Sequence, residues 1–160
     1  MEVREAVATD NRVLQELQAR CPQGTSLIAT VVNTPDFFAR AKAYVQYKVY
    51  VASDGRDIIG SAACGIRGAV VGGNVHKVGY EFQYFTDPGH RGKGAARQLR
   101  ETIEAWLVDQ GAVLSYALIM EANVPSIHLF ERQGFSRHGA VELSVLLVYK
   151  AMKLPALSPP

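Results

Sequence analysis

At 160 residues and 17.4 kDa, the chain is long enough to bury one good core and short for two. A hydrophobic share of 48% with 20% charged residues describes a globular protein rather than a disordered or fibrous one, and a net charge of +2 is too small to argue for nucleic acid. Cys21 and Cys64 lie far apart and fit no paired-ligand spacing, so no disulfide framework and no metal is expected. No charged-then-apolar leader opens the chain and no apolar run approaches the ~20 residues of a membrane span, so a cytoplasmic protein without a membrane partner is expected. The expectation is one domain over residues 1–154, with the proline-rich 155–160, "PALSPP", as a frayed tail.

The first elements are a strand at "EVREAV" and a helix in "TDNRVLQELQARC", where Val13, Leu14 and Leu17 fall at helical spacing behind a cap at Thr9 or Asp10. "NTPDFFARAKA" predicts a second helix with Thr34 as N-cap and Pro35 at its first position. "YVQYKVYVAS", "DIIGSAACGIRGAV" and "VHKVGYEFQYFT", separated by "DGR" and "GGN", read as a meander of three antiparallel strands. A helix carrying Leu99, Ile103, Trp106 and Leu107 follows and runs to Gly111, a natural C-cap. "AVLSYALIM" reads as a strand buried on both faces, "NVPSIHLFERQGF" as a helix capped by Asn123 and ended by Gly134, and "VELSVLLVYKAMKL" as a last strand.

Between the third meander strand and the long helix lies "TDPGHRGKGAARQL". A glycine-rich turn that opens a helix exposes backbone N–H groups at the positive end of the helix dipole, a place suited to phosphate. Gly92 and Gly94 let the backbone approach an anion, Ala95 and Ala96 keep side chains away, and Arg91 and Lys93 add charge. No Ser or Thr follows the lysine as in a nucleotide P-loop, and the spacing of a dinucleotide fingerprint is absent. The competing reading is a glycine turn that only starts a helix.

"RGKGAA", Arg91 to Ala96, resembles the R/Q-x-x-G-x-G/A acetyl-CoA signature of the GNAT superfamily of N-acetyltransferases, and "NVPSIHLFERQGF" resembles that family's second signature. The order of elements is similar to the family fold over nearly the whole chain. The resemblance implies an α/β (α+β) fold with a mixed central sheet, an antiparallel meander, helices on both faces, and fourth and fifth strands splayed around the cofactor. It implies acetyl-CoA as cofactor, with a pyrophosphate cradle at the N–H groups of Arg91, Gly92, Lys93, Gly94, Ala95 and Ala96. Main-chain groups near Tyr84, Phe85 and Thr86 would meet the pantetheine arm and the acetyl carbonyl, Asn123 would contact the arm, and Phe130 and Arg132 would lie near it.

Acetyl transfer to an amine needs a base to free the amine, a donor to polarise the carbonyl, and a proton for the departing thiolate. Glu81, flanked by apolar residues, is the first candidate base, ahead of Glu121, and its alternative role is an edge carboxylate pairing with a basic neighbour. Strict alternation puts Tyr80, Phe82 and Tyr84 on one face and Glu81, Gln83 and Phe85 on the other, unless a bulge intervenes. Many relatives protonate the thiolate with a tyrosine at the position that matches Phe130, so here Tyr116, water or positioning alone must serve. His76, His90, His128 and His138 have no ligand partner at helical spacing and read as surface or satisfied histidines.

"CPQGTSLIATVVN" and "GAVVGGN" are the expected walls of the acceptor cleft, and their lack of acids favours a small amine, an amino acid or a peptide N-terminus over a polycation. The expected function is thus an acetyl-CoA-dependent N-acetyltransferase working by direct transfer in a ternary complex. The alternative is a non-catalytic acyl-CoA-binding or sensory module. A homodimer is a further expectation, through sheet edges near the end of the chain.

Overall fold

The computed structural model describes residues 1–22, 30 and 32–141. Strand β1 (Glu2–Glu5) leads through a short 3-10 turn into α1 (Asn11–Ala19), and a single helical turn, α2 (Ala39–Lys42), precedes the meander of β2 (Gln46–Asp54), β3 (Asp57–Val71) and β4 (Asn74–Thr86). Then come α3 (Ala95–Asp109), β5 (Leu114–Ala117) and α4 (Val124–Glu131). Among the described residues the sheet has five strands in the order β1-β2-β3-β4-β5, antiparallel except for the parallel pair β4 and β5. The expected closing strand and tail, and most of the expected wall "CPQGTSLIATVVN", lie outside the described residues.

Two apolar layers sandwich the sheet. On one face Leu14 and Leu17 of α1, Phe37, and Ala41 of α2 pack on Val49, Val51, Ala63, Tyr80, Phe82 and Phe85. On the other, Leu99, Ile103 and Leu107 of α3 cover Tyr50, Ala52, Ile59, Ala62 and Ile66. Burying such a side chain is worth roughly 1.5–3 kcal/mol, so the two stripes fix which face each helix takes. Gly79 brings α3 close, since a Cβ there would stand 2.6 Å from Leu107 Cδ1.

Three expectations need correction. The second helix is one turn long, because the Asp36 carboxylate accepts a hydrogen bond from Phe38 N–H at 2.9 Å and the chain first coils at Ala39; Thr34 and Pro35 stand outside it. Asp10 does precede α1, but its carboxylate turns back to accept from Val7 N–H at 2.9 Å and from Arg4 at 2.8 and 3.0 Å instead of capping the helix. "AVLSYALIM" is a strand only over Leu114–Ala117, and its flanks are open, with Leu118 and Met120 exposed, because pairing with β4 ends at Glu81↔Ala117.

The alternation along β4 also breaks. Opposite Ser61–Ala63 of β3, β4 carries one extra residue, and Gln83 takes a left-handed φ of 55°. This bulge shifts the pleat by one. Tyr84 joins Glu81 on the α3 face, and Phe85 joins Tyr80 and Phe82 on the α1 face.

Candidate active site

The glycine loop is built from the end of β4. Asp87 N–H bonds to Ile59 O at 2.8 Å, and the Asp87 carboxylate accepts from Gly89 N–H at 2.9 Å and pairs with Arg20 at 3.2 Å, which pins the turn Pro88–His90. The hydrogen bond from Gly89 N–H holds the Asp87 carboxyl below the usual carboxylate range, helped by His90 and Arg20. Gly92 and Gly94 have φ of 76° and 88°, conformations that glycine adopts without a Cβ clash, and Gly94 is the N-cap residue of α3. An added Cβ at either would meet nothing within 4 Å, so space is open over the loop. Among the described residues no hydrogen bond uses the N–H groups of Arg91 through Arg97, the arrangement expected of a helix N-terminus that faces an anion.

Beyond the Glu81↔Ala117 pair the two strands part, and a cleft of about 170 Å³ opens between them. Its walls include Glu81, Tyr84, Asn123 and Phe130 on the α3 side and Arg40, Tyr80, Phe82 and Gln83 on the α1 side. Asn123 Oδ1 accepts from Ser126 N–H at 3.3 Å and starts α4 at the cleft's edge. Phe130 is 3% exposed and meets Tyr84 and Phe135 edge-on, with ring centroids 5.3 and 5.0 Å apart.

Glu81 is 1% exposed. Its Oε2 accepts from Tyr84 Oη at 2.6 Å and its Oε1 from Ser115 Oγ at 2.7 Å. Burial raises its pKa above the ordinary carboxylate value; the two hydroxyl donors and the nearby Arg100 charge oppose the rise without cancelling it. Tyr84, half-buried and beside that carboxyl, is pushed well above the usual phenol range by desolvation and by the Glu81 charge.

The remaining candidates are spread out. Tyr116 lies on the face opposite Glu81, stacked on Tyr80 at 4.8 Å with the Arg67 guanidinium 5.7 Å from its ring centroid. Arg132 is exposed and lines a groove between α3 and α4 with Arg97, Arg100 and Glu104, outside the cleft. Glu121 is exposed in the turn after β5. Cys21 and Cys64 are free and buried, and burial pushes the Cys64 thiol up to about 12.

Arg40, Gln18 and Gln83 are cleft residues that escaped the sequence reading, whereas Asn33 ends the expected wall "CPQGTSLIATVVN". Arg40 stands on a helical turn that carries no site motif, and Gln83 was legible only as an ordinary strand residue. Gln18 Oε1 accepts from Asn33 N–H at 2.8 Å, a long-range bond that no local pattern announces. Ser115 and Arg100 were missed for the same reason, since each becomes relevant only through Glu81. Among the described residues, no helix is long and apolar enough to cross a membrane, and no cluster of His, Cys, Asp and Glu is placed to hold a metal.

Solved structures share this architecture. A putative acetyltransferase from Agrobacterium tumefaciens is 18% identical over 91% of this chain and 100% of its own, with a TM-score of 0.70. The aminoglycoside 6'-N-acetyltransferase AAC(6')-Ig from Acinetobacter haemolyticus is 19% identical over 92% and 99%, with a TM-score of 0.67. AAC(6')-Iy in complex with the bisubstrate analogue CoA-S-monomethyl-acetylneamine is 19% identical over 92% and 98%, with a TM-score of 0.70. No curated protein matches the sequence at a significant level. At these identities the solved structures establish the fold, while the acetyltransferase (GNAT) family model matches residues 12–135. From the glycine loop at the head of α3, the parting of β4 and β5, and a match over most of its length, the chain belongs to the acetyltransferase (GNAT) family, whose acyl donor is acetyl-CoA.

Proposed function

We propose that the chain is an acetyl-CoA-dependent N-acetyltransferase that moves an acetyl group to a primary amine by direct transfer, both reactants being held in the cleft. The observation that carries this reading is the cleft between the parting strands, which has a glycine-rich helix N-terminus at the end of β4 and a buried carboxyl in its wall. The open space above Gly92 and Gly94 and the free N–H run suit a pyrophosphate. The N–H groups of Arg91 through Ala96 would hold it. Main-chain groups at Tyr84, Phe85 and Thr86 and the Asn123 side chain would hold the pantetheine arm, Phe130 would wall it, and Arg132 would stand further out along the α3–α4 groove.

Bound acetyl-CoA supplies an activated thioester. Glu81 is the proposed base, acting through water: its raised proton affinity suits it to take a proton from an ammonium that enters the cleft, while Tyr84 and Ser115 hold its two oxygens. Tyr116, or water, returns a proton on the thiol side. Direct transfer is favoured over an acyl-protein route because a thiol attacks as thiolate, and burial raises the pKa of both cysteines. Holding two reactants in one cleft removes much of the entropic barrier.

One observation favours a second reading, a non-catalytic acyl-CoA-binding module: Phe130 is buried in the cleft wall and has no hydroxyl to give. Calorimetric titration with acetyl-CoA and CoA, followed by an assay of amine-dependent thiol release, separates the two. Saturable binding that Gly94→Trp abolishes, with the circular dichroism spectrum retained, and thiol release that needs an amine are the expected results. Binding without amine-dependent release supports the module, and absence of binding overturns both readings.

A further inference from the structure

The α1-side wall of the cleft has a charge pattern of its own. Tyr80 stacks with Phe82 at 5.2 Å and with Tyr116 at 4.8 Å, and Tyr44 stacks on Phe82 at 5.6 Å, which makes an aromatic platform. Two guanidiniums lie on it. Arg40 Cζ is 4.7 Å from the Phe82 ring centroid and its Nη2 donates to Tyr80 Oη at 2.8 Å, while Arg67 lies over Tyr116. Among the described residues neither arginine has an ion-pair partner, a condition shared with Arg56, Arg91 and Arg132, while Arg4, Arg12, Arg20, Arg97, Arg100 and Arg137 are paired. The one acidic side chain among the described cleft-lining residues, Glu81, faces the other way and is held by hydroxyls.

Gln83 supplies an independent observation. It is 7% exposed, lines the cleft, and sits at the bulge with its Nε2 donating to Phe37 O at 3.2 Å. A carbonyl only accepts, so this bond fixes which end of the amide is nitrogen. Gln83 Oε1 is therefore the buried acceptor of a cleft-lining residue, and no donor among the described residues reaches it. Leaving such an atom unpaired costs its desolvation, which a ligand N–H would recover.

We infer that the acceptor is an amine that carries a carboxylate, a free amino acid or a short peptide, with Arg40 recognising the carboxylate and Gln83 Oε1 receiving an N–H of the amine end. The inference rests on the acetyltransferase reading and names its substrate class. An arginine presents a planar fork of donors that matches a carboxylate and stays effective when stacked on aromatic rings. The same wall repels polycations, which need acids in the position that Arg40 takes.

The test compares leucine, leucyl-leucine, isoamylamine (leucine without its carboxylate), spermidine and kanamycin as acceptors. Thiol release gives kcat/KM, and NMR gives the binding of leucine and isoamylamine to the CoA-bound protein. The expected results are a preference for leucine or leucyl-leucine over isoamylamine of about 10- to 100-fold, the range for one charge-assisted hydrogen bond, and no turnover of spermidine. The leucine-to-dipeptide ratio decides between amino acid and peptide. Arg40→Met should collapse the leucine-to-isoamylamine ratio toward unity, and Arg40→Lys should restore part of it. Equal use of leucine and isoamylamine, or a polycation as the best acceptor, overturns the acceptor assignment and leaves the acetyltransferase reading standing. Preferential binding of leucine with no thiol release from any amine overturns transfer and keeps the anion-recognising wall.

Discussion

On the α3 side of β4, Glu81 is sealed and gives both oxygens to hydroxyl donors, whereas on the α1 side Arg40 lies exposed over Phe82 and spends one N–H on Tyr80. Two ionisable groups on opposite sides of β4, one from the strand and one from α2, thus meet opposite surroundings, and a single extra residue at Gln83 sorts the strand's side chains between them. Burial makes the carboxyl hold its proton to higher pH, which suits proton transfer. Exposure leaves the guanidinium free to bind, which suits recognition. One wall is built for chemistry and the other for choice of acceptor.

Glu81→Gln removes the ionisable group from the α3-side wall and leaves Arg40 in place. We expect kcat to fall about 100-fold at neutral pH, by the same factor for leucine and isoamylamine, since recognition belongs to the other wall. The wild-type rate should decline as pH falls through the raised Glu81 pKa, and the variant should lack that limb. Its stability should change in the opposite sense. A carboxyl whose folded pKa lies above its unfolded one costs stability at pH above the unfolded pKa and costs none in acid below it. The variant should therefore melt higher at neutral pH, by about 2–4 °C if the relief is about 1 kcal/mol, and the gain should fade in acid. A gain of equal size at every pH would contradict the assignment of the raised pKa.

Two glycines give matched probes of the faces. A Cβ at Gly79 would meet Leu107 of α3, and one at Gly65 would fall on the Tyr44 ring. Each alanine variant should lose about 1–3 kcal/mol in urea unfolding, the usual cost of overpacking. Only Gly65→Ala should also raise the KM for leucine, because Tyr44 stacks on Phe82 beneath Arg40. The smallest expected effect is that of Tyr84→Phe. Losing one donor to the carboxylate raises the Glu81 pKa further, so the acid limb should move to higher pH, with a loss of less than about tenfold in rate at neutral pH.

Much of this was readable in the sequence, for reasons that can be named. Gly92 and Gly94 announce backbone that needs positive φ, and Asn123 with Pro125 announces a helix start, because each signal acts within a few residues. The meander was legible from alternation, up to the point where alternation fails. Nothing in "EFQYFT" marks Gln83 as the residue with φ 55°, since glutamine is not a left-handed specialist; the bulge is set by pairing with Ser61–Ala63 across the sheet. Helix α2 was overestimated because Asp36, read as part of the helix, caps the turn ahead of it. Arg40 could not be assigned to the cleft from sequence, because its place depends on Tyr80 and Phe82, 40 and more residues away.

Direct transfer across the cleft can be followed by single-turnover labelling of the acetyl group. The protein, in excess over isotopically labelled acetyl-CoA, is mixed with leucine, and samples quenched through a single turnover are analysed by mass spectrometry for label on amine and on protein. Direct transfer requires the label to appear on the leucine nitrogen at the rate at which acetyl-CoA is consumed, with none bound to the protein at any time. A labelled protein species that forms and decays ahead of the product, or consumption of acetyl-CoA with no labelled amine, would contradict it.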